Sequence, residues 1–171
     1  MANISMTNID PLQSVHTWQD NWTGQLNVNL KLVKLHPDAI IPTYATDGSA
    51  CFDLYTIDGG EIRGSHDDSR ELFRIGWAFE IPPGWVMKIY SRSGHGFKSS
   101  TRLSNCVGII DSDYRDEVMV KLQGDWNSFL QVKPGDRIAQ AMLEPVAKVH
   151  MRVVEKLSDS ERKGGFGHSG A

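Results

Sequence analysis

The residues best suited to chemistry lie between Asn105 and Val118. There an apolar run, Val107-Gly108-Ile109-Ile110, ends on an acid, Asp111, and a ring follows at Tyr114. An acid held at the end of a strand can take a proton from water, and a nearby ring can wall a pocket. A surface turn built of Asp and Ser residues would carry the same letters. Ser91-Arg92-Ser93-Gly94 offers a guanidinium, a hydroxyl and a closely approachable backbone, a set that can cradle phosphate oxygens or simply turn the chain. Gln140 closes the run Gly135-Asp136-Arg137-Ile138-Ala139-Gln140 as a neutral donor and acceptor in a strand setting. Gly164-Gly165-Phe166-Gly167-His168-Ser169-Gly170 combines one ring with many backbone N–H groups. It reads as a flexible tail or as a lid over an anionic, aromatic ligand.

The elements that must position these residues read as β. Leu26, Val28, Leu30 and Leu32 alternate with polar residues, and the phase slips from Val33 to Leu35. Thr43 to Ser49 is turn material, and Cys51 to Tyr55 is a short strand. Ile57 to Arg70 has no period and reads as a connecting loop. Phe73, Ile75, Trp77, Phe79 and Ile81 alternate as one strand, and Trp85 to Tyr90 returns after Pro82-Pro83-Gly84. The run to Asp111 and the alternating Val118, Val120 and Leu122 predict a β-hairpin. Strands are expected over Phe129–Val132, Arg137–Leu143 and Lys148–Val154. Turn-punctuated short strands without a long helical period imply an all-β sandwich or barrel. Residues 26–157 form that domain; 1–25 are an N-terminal extension with a short helix capped by Asp10 or a loose arm, and 158–171 form a flexible arm.

Composition narrows the function. Eighteen basic against twenty-one acidic residues leave a net charge of −3, which gives no electrostatic case for nucleic acid or an anionic membrane. No apolar run approaches the roughly 20 residues of a membrane span. The first residues lack a secretory signal, and two cysteines make neither a disulfide framework nor a metal motif, so a cytoplasmic, reducing compartment is expected.

Taken together, Gly48 to Leu54, Arg92-Ser93-Gly94, Asn105 to Glu117, Gly135 to Gln140 and Gly164 to Gly170 resemble, in order, the five motifs of the homotrimeric dUTPase family. The resemblance covers about residues 28–170. It implies a jelly-roll-like β-barrel subunit in a homotrimer with shared active sites, hydrolysing dUTP to dUMP and pyrophosphate with Mg²⁺ on the triphosphate. By the same resemblance Asp111 is the base that activates water against the α-phosphorus, and Tyr114 packs on deoxyribose. Asn105, Gly108, Ile109, Ile110 and Met119 match the uracil pocket. Arg92, Ser93, Gly94 and Gln140 match the phosphate set. The γ-phosphate role falls to Arg162 through a shorter loop, to Lys163, or to both, and Phe166 stacks on uracil when the arm closes, with Gly167, His168 and Ser169 beside the substrate. No protein side chain is expected to ligate Mg²⁺ directly; Asp53 and Gln140 would reach it through water, or Asp53 would instead organise the site.

Four positions depart from the family pattern. Arg162 stands four residues before Phe166 rather than five, with Glu161 in the fifth place. Asp116 and Cys51 replace usual glycines, and His95 replaces an apolar residue. Aspartate tolerates left-handed backbone, so the turn at Asp116 is expected to survive. Two other functions compete: a dCTP deaminase-related enzyme, and a nucleotide-switched regulator that binds a protein partner through residues 1–25.

Overall fold

The computed structural model describes residues 27–64 and 70–161. In chain order the strands are β1 (Lys31–Lys34), β2 (Thr43–Tyr44), β3 (Phe52–Tyr55), β4 (Gly60–Arg63), β5 (Arg70–Arg74), β6 (Trp77–Glu80) and β7 (Trp85–Tyr90). A short helix, α1 (Ser93–Ser99), precedes β8 (Thr101–Leu103), β9 (Val107–Ile110), β10 (Met119–Gly124), β11 (Phe129–Val132) and β12 (Arg137–Pro145). Every strand pair is antiparallel. The largest sheet runs β2-β3-β12-β7-β9, beside a sheet of order β5-β10-β8 and the pairs β1-β6 and β11-β4. Leu54, Phe73, Ile75, Phe79, Ile81, Met87, Leu122 and Ile138 are fully enclosed among them. Alternation explains which residues go inward: on β7, Met87 and Ile89 are buried while Lys88 and Tyr90 reach the outer face.

Several expected elements take a different form. The Phe73 to Ile81 alternation is two strands, because the chain leaves one sheet at Gly76 and enters another. Gly76 has φ +74°, and a Cβ there would lie 2.6 Å from the Cβ of Ala39. The stretch expected as a loop carries a strand in its described part: Ile62 is buried on β4, which pairs with β11, and polar neighbours hide its period. The first strand is confined to Lys31–Lys34, paired with β6. The expected hairpin has no ladder between its arms, since β9 pairs with β7 while β10 pairs with β5 and β8. The segment between them is an arch from one sheet to another. Residues 148–154 are extended without a strand partner among the described residues. Asp116 does not take the left-handed backbone; the non-glycine residues that do, among those described, are Ser100, Cys106 and Asn127. Arg92-Ser93-Gly94 forms not a plain turn but the start of α1, with Arg92 at its N-cap. Among the described residues no helix is long and apolar enough to cross a membrane.

Candidate active site

The outer face of the five-stranded sheet brings three of the sequence-predicted groups together. Gln140 on β12 sits opposite Asp53 on β3 and opposite Tyr90 on β7, so all three share one row. Just past Tyr90 the chain reaches Ser91 and Arg92. Gln140 Nε2 donates to the Ser91 carbonyl at 2.9 Å, tying the end of β7 to β12. Asp53, only 8 % exposed, receives two guanidiniums: Arg92 Nε lies 3.4 Å from Oδ1 and Arg137 Nη1 lies 3.1 Å from Oδ2. Arg92 Nη1 also donates to the Arg137 carbonyl at 2.9 Å. A buried carboxylate is costly unless paired. Here two guanidiniums surround it, and the trio keeps a net positive charge.

His95 lies in the first turn of α1, with its backbone N–H donating to the Arg92 carbonyl at 3.1 Å. Its Nδ1 is buried without a hydrogen-bond partner. Burial first, and the Arg92 charge second, push its pKa below the ordinary imidazole value. Ser93 is exposed and Gly94 half-buried beside it.

Asp111 stands at the far end of the same sheet. The pairing sets Val107 opposite Tyr90 and Ile110 opposite Met87, so Asp111 follows on beside Val86. From Val86 to Tyr90 is roughly 13 Å at about 3.3 Å per residue. Within one chain, then, the acid and the arginine pair lie at opposite ends of β7. Near Asp111 a cavity of about 680 Å³ is lined by Lys88, Ile109, Asp111, Ser112, Glu144 and Lys148. Lys88 Nζ bonds Glu144 Oε2 at 2.5 Å, and the Tyr90 hydroxyl donates to Oε1 at 3.2 Å. That pairing with Lys88 holds the Glu144 carboxyl below the usual carboxylate range.

The arch is fastened by its own residues. Tyr114 N–H donates to the Asp111 carbonyl at 3.2 Å, and the Tyr114 hydroxyl donates to the Glu117 carbonyl at 2.9 Å. The Glu117 carboxylate accepts the Gly76 N–H at 2.9 Å, and Val118 N–H donates to the Trp77 carbonyl at 3.0 Å. β9 is the edge of its sheet, so the backbone of Ile109 and Ile110 has one side without a ladder. Met119 opens β10 on the far side of the arch. The result is a slot of edge N–H and C=O groups able to read a planar base. Gly108 faces inward, where a Cβ would come 3.1 Å from the Ile89 Cβ. Asn105 is exposed in the turn between β8 and β9, at the Tyr90 end of the sheet; the N–H of its neighbour Ser104 donates to the Lys121 carbonyl at 2.9 Å, two residues along β10 from Met119.

Two residues lie inside the motifs with no role read from the sequence. Arg137 sits in the Gly135 to Gln140 run, and its pairing with Asp53 becomes visible only when β12 lies beside β3. Glu117 ends the Asn105 to Glu117 run, and its anchor on Gly76 becomes visible only in the fold. Arg162, Lys163, Phe166, Gly167, His168 and Ser169 lie outside the described residues, as does the extension 1–25.

The molecule is an antiparallel β domain whose guanidinium pair suits phosphate oxygens and whose open strand edge suits a planar base. The comparisons name the class. The dUTPase family model matches residues 37–170. A deoxyuridine 5′-triphosphate nucleotidohydrolase from Nautilia profundicola is 42% identical over 144 residues, covering 84% of this chain and 99% of that one. The enzyme of the same name from a Picosynechococcus strain is 41% identical over 144 residues, with the same coverage of both chains. Among solved structures, the dUTPase of Staphylococcus bacteriophage 80alpha with dUPNHPP superposes at TM-score 0.76 and 22% identity, covering 85% of this chain and 100% of that chain. That likeness gives this chain their jelly-roll-like fold. The chain belongs to the dUTPase family.

Proposed function

We propose that this chain hydrolyses dUTP to dUMP and pyrophosphate as a homotrimer of jelly-roll barrels, each site assembled from neighbouring subunits. The observation that carries the reading is the split of the site across one sheet. Asp53, Arg92 and Gln140 converge at one end, while Asp111 and the Tyr114 arch lie at the other. Within one chain the two ends lie roughly 13 Å apart along β7, and a neighbouring copy can present its Asp111 end to this chain's arginines.

In the proposed step Asp111 accepts a proton from water as its oxygen bonds to the α-phosphorus. The bond from that phosphorus to the bridging oxygen breaks, and pyrophosphate leaves. General-base help of this kind supplies about 10² to 10⁴ in rate. The edge of β9 and Met119 take uracil, since a site built for its donor and acceptor pattern leaves its own groups unpaired against cytosine. Thymine is refused by lack of room for its methyl, and Tyr114 bears on deoxyribose where a 2′-hydroxyl would clash.

Mg²⁺ fits this reading as a passenger on the triphosphate. Among the described residues no three His, Cys, Asp or Glu side chains cluster as a metal site. Both Asp53 oxygens already face guanidiniums, so its reach to a cation is through water. Magnesium commonly binds through phosphates and retained waters. Its chemistry would be to neutralise phosphate charge.

The test is pyrophosphate release with Mg²⁺ from dUTP, dCTP, dTTP and UTP. Turnover confined to dUTP is expected. Ammonia release from dCTP would instead favour the deaminase-related reading. A folded trimer inert toward all four nucleotides would favour the regulator.

A further inference from the structure

We propose that the middle of the outer sheet face, centred on the Lys88–Glu144 ion pair, is a recognition surface whose partner is the same strip on other copies of this chain. This rests on the proposed homotrimer with shared sites, though not on the nucleotide it hydrolyses. The two halves of that site lie on one face, with the Arg92 end and the Asp111 end roughly 13 Å apart along β7. In a closed ring each end meets a different neighbour. A face that touches both neighbours looks toward the symmetry axis. The strip between its two ends therefore comes against its own copies there.

The residues of the strip suit such a place. Lys88 stands between Met142 on β12 and Ile109 on β9, and Glu144 lies two residues beyond Met142. Lys88 Nζ bonds Glu144 Oε2 at 2.5 Å and the Tyr90 hydroxyl donates to Oε1 at 3.2 Å, so both carboxylate oxygens are satisfied before any partner arrives. The Lys88 and Glu144 side chains are only 31% and 32% exposed. Apolar surface flanks them, with Ile109 54% and Val107 36% exposed. A paired charge withdrawn from water adds little stability, and its best use is to fix register. A slipped copy would lay Ile109 or Val107 over the charges and strand them without partners. An ammonium has three N–H donors, and among the described residues Lys88 spends one on Glu144, which leaves two for the facing copies.

The experiment is sedimentation of the full chain over a range of concentrations without nucleotide, with far-UV circular dichroism to follow folding. Lys88→Glu and Glu144→Lys each set like charges against one another at the axis. Each should raise the concentration of half-assembly at least about tenfold while the chain stays folded. Combining the two changes restores an opposite pair and should return half-assembly to within about threefold of the wild type. Single reversals that assemble like the wild type would overturn the proposal, as would a combined variant no better than either single one. Lower fold stability with unchanged assembly would also overturn it, by assigning the pair to the single chain. Should a reversal fail to fold, Lys88→Gln and Glu144→Gln carry the same comparison by removing one charge. A wild-type chain that stays monomeric would overturn the homotrimer reading and this inference with it; a wild-type trimer indifferent to these changes overturns only the inference.

Discussion

His95 shows how one substituted residue leaves a mark on the whole site. Its buried, unpartnered Nδ1 makes protonation costly in the folded chain, and Arg92 adds to that cost. The unfolded chain has an ordinary imidazole pKa of about 6.5. Between that value and the lower folded one, the unfolded chain takes up a proton that the folded chain refuses. Stability is therefore intact above about pH 6.5 and declines as the pH falls toward the folded pKa. His95→Leu should flatten that decline, read as the urea midpoint at pH 7.5 and 5.5 for both proteins. An unchanged slope would assign the acid sensitivity elsewhere. Asp111 carries the sharper prediction. Asp111→Asn keeps size and hydrogen-bonding capacity but loses the base. Binding of a non-hydrolysable imido analogue of dUTP should persist while turnover falls by at least about 10²-fold. Near-normal turnover would remove Asp111 from the mechanism.

At the scale of elements, Gly76 joins the scaffold to the site. It is the hinge at which β5 gives way to β6, and its N–H is the anchor of Glu117 at 2.9 Å. Its φ of +74° and the 2.6 Å approach of Ala39 leave no place for a methyl group. Gly76→Ala should cost more than about 1 kcal/mol, since alanine resists that backbone region. The arch would shift with it, so KM for dUTP should rise more than a stability loss alone explains. A surface substitution matched in midpoint supplies the control. The same stretch shows what a sequence can and cannot say. Phe73, Ile75, Trp77, Phe79 and Ile81 are all buried, so the period runs through the hinge unbroken. Periodicity reports which face is inward and is blind to a change of partner. For the same reason Val107 to Leu122 reads as a hairpin although its arms join different sheets. β4 fails in the opposite way, with Ile62 as its buried residue among polar neighbours. The Asp53, Arg92 and Gln140 end of the site was legible only through the order of the motifs. Arg137 lies within the Gly135 to Gln140 motif, but its partner Asp53 is 84 positions away and is read only from strand pairing.

The whole molecule points beyond one copy. Val149, Met151 and Val153 alternate along an extended segment and are 73%, 93% and 99% exposed. Three exposed apolar side chains on an extended segment that pairs with no strand among the described residues are a poor solution for an isolated subunit. An apolar cleft of about 750 Å³, lined by Leu30, Leu32, Tyr44, Phe52 and Met142 among others, opens on the same molecule. Both features suit a closed ring of copies, in which each interface joins two different surfaces. Such a ring makes a quantitative prediction for mixed assemblies. Arg92→Gln and Asp111→Asn homotrimers should each be nearly inactive. Suppose every site takes Arg92 from one subunit and Asp111 from the next. Refolding the two variants together at equal amounts then regenerates intact pairs. With random assembly about a quarter of the sites recover both groups. If instead both residues served one site from the same subunit, no mixed trimer could regain an intact pair, because every subunit lacks one of the two. Pyrophosphate release from the mixture, compared with the unmixed variants refolded in the same way, separates these cases. Recovery near a quarter of wild-type turnover would support the shared site, and a flat response would return both groups to one chain.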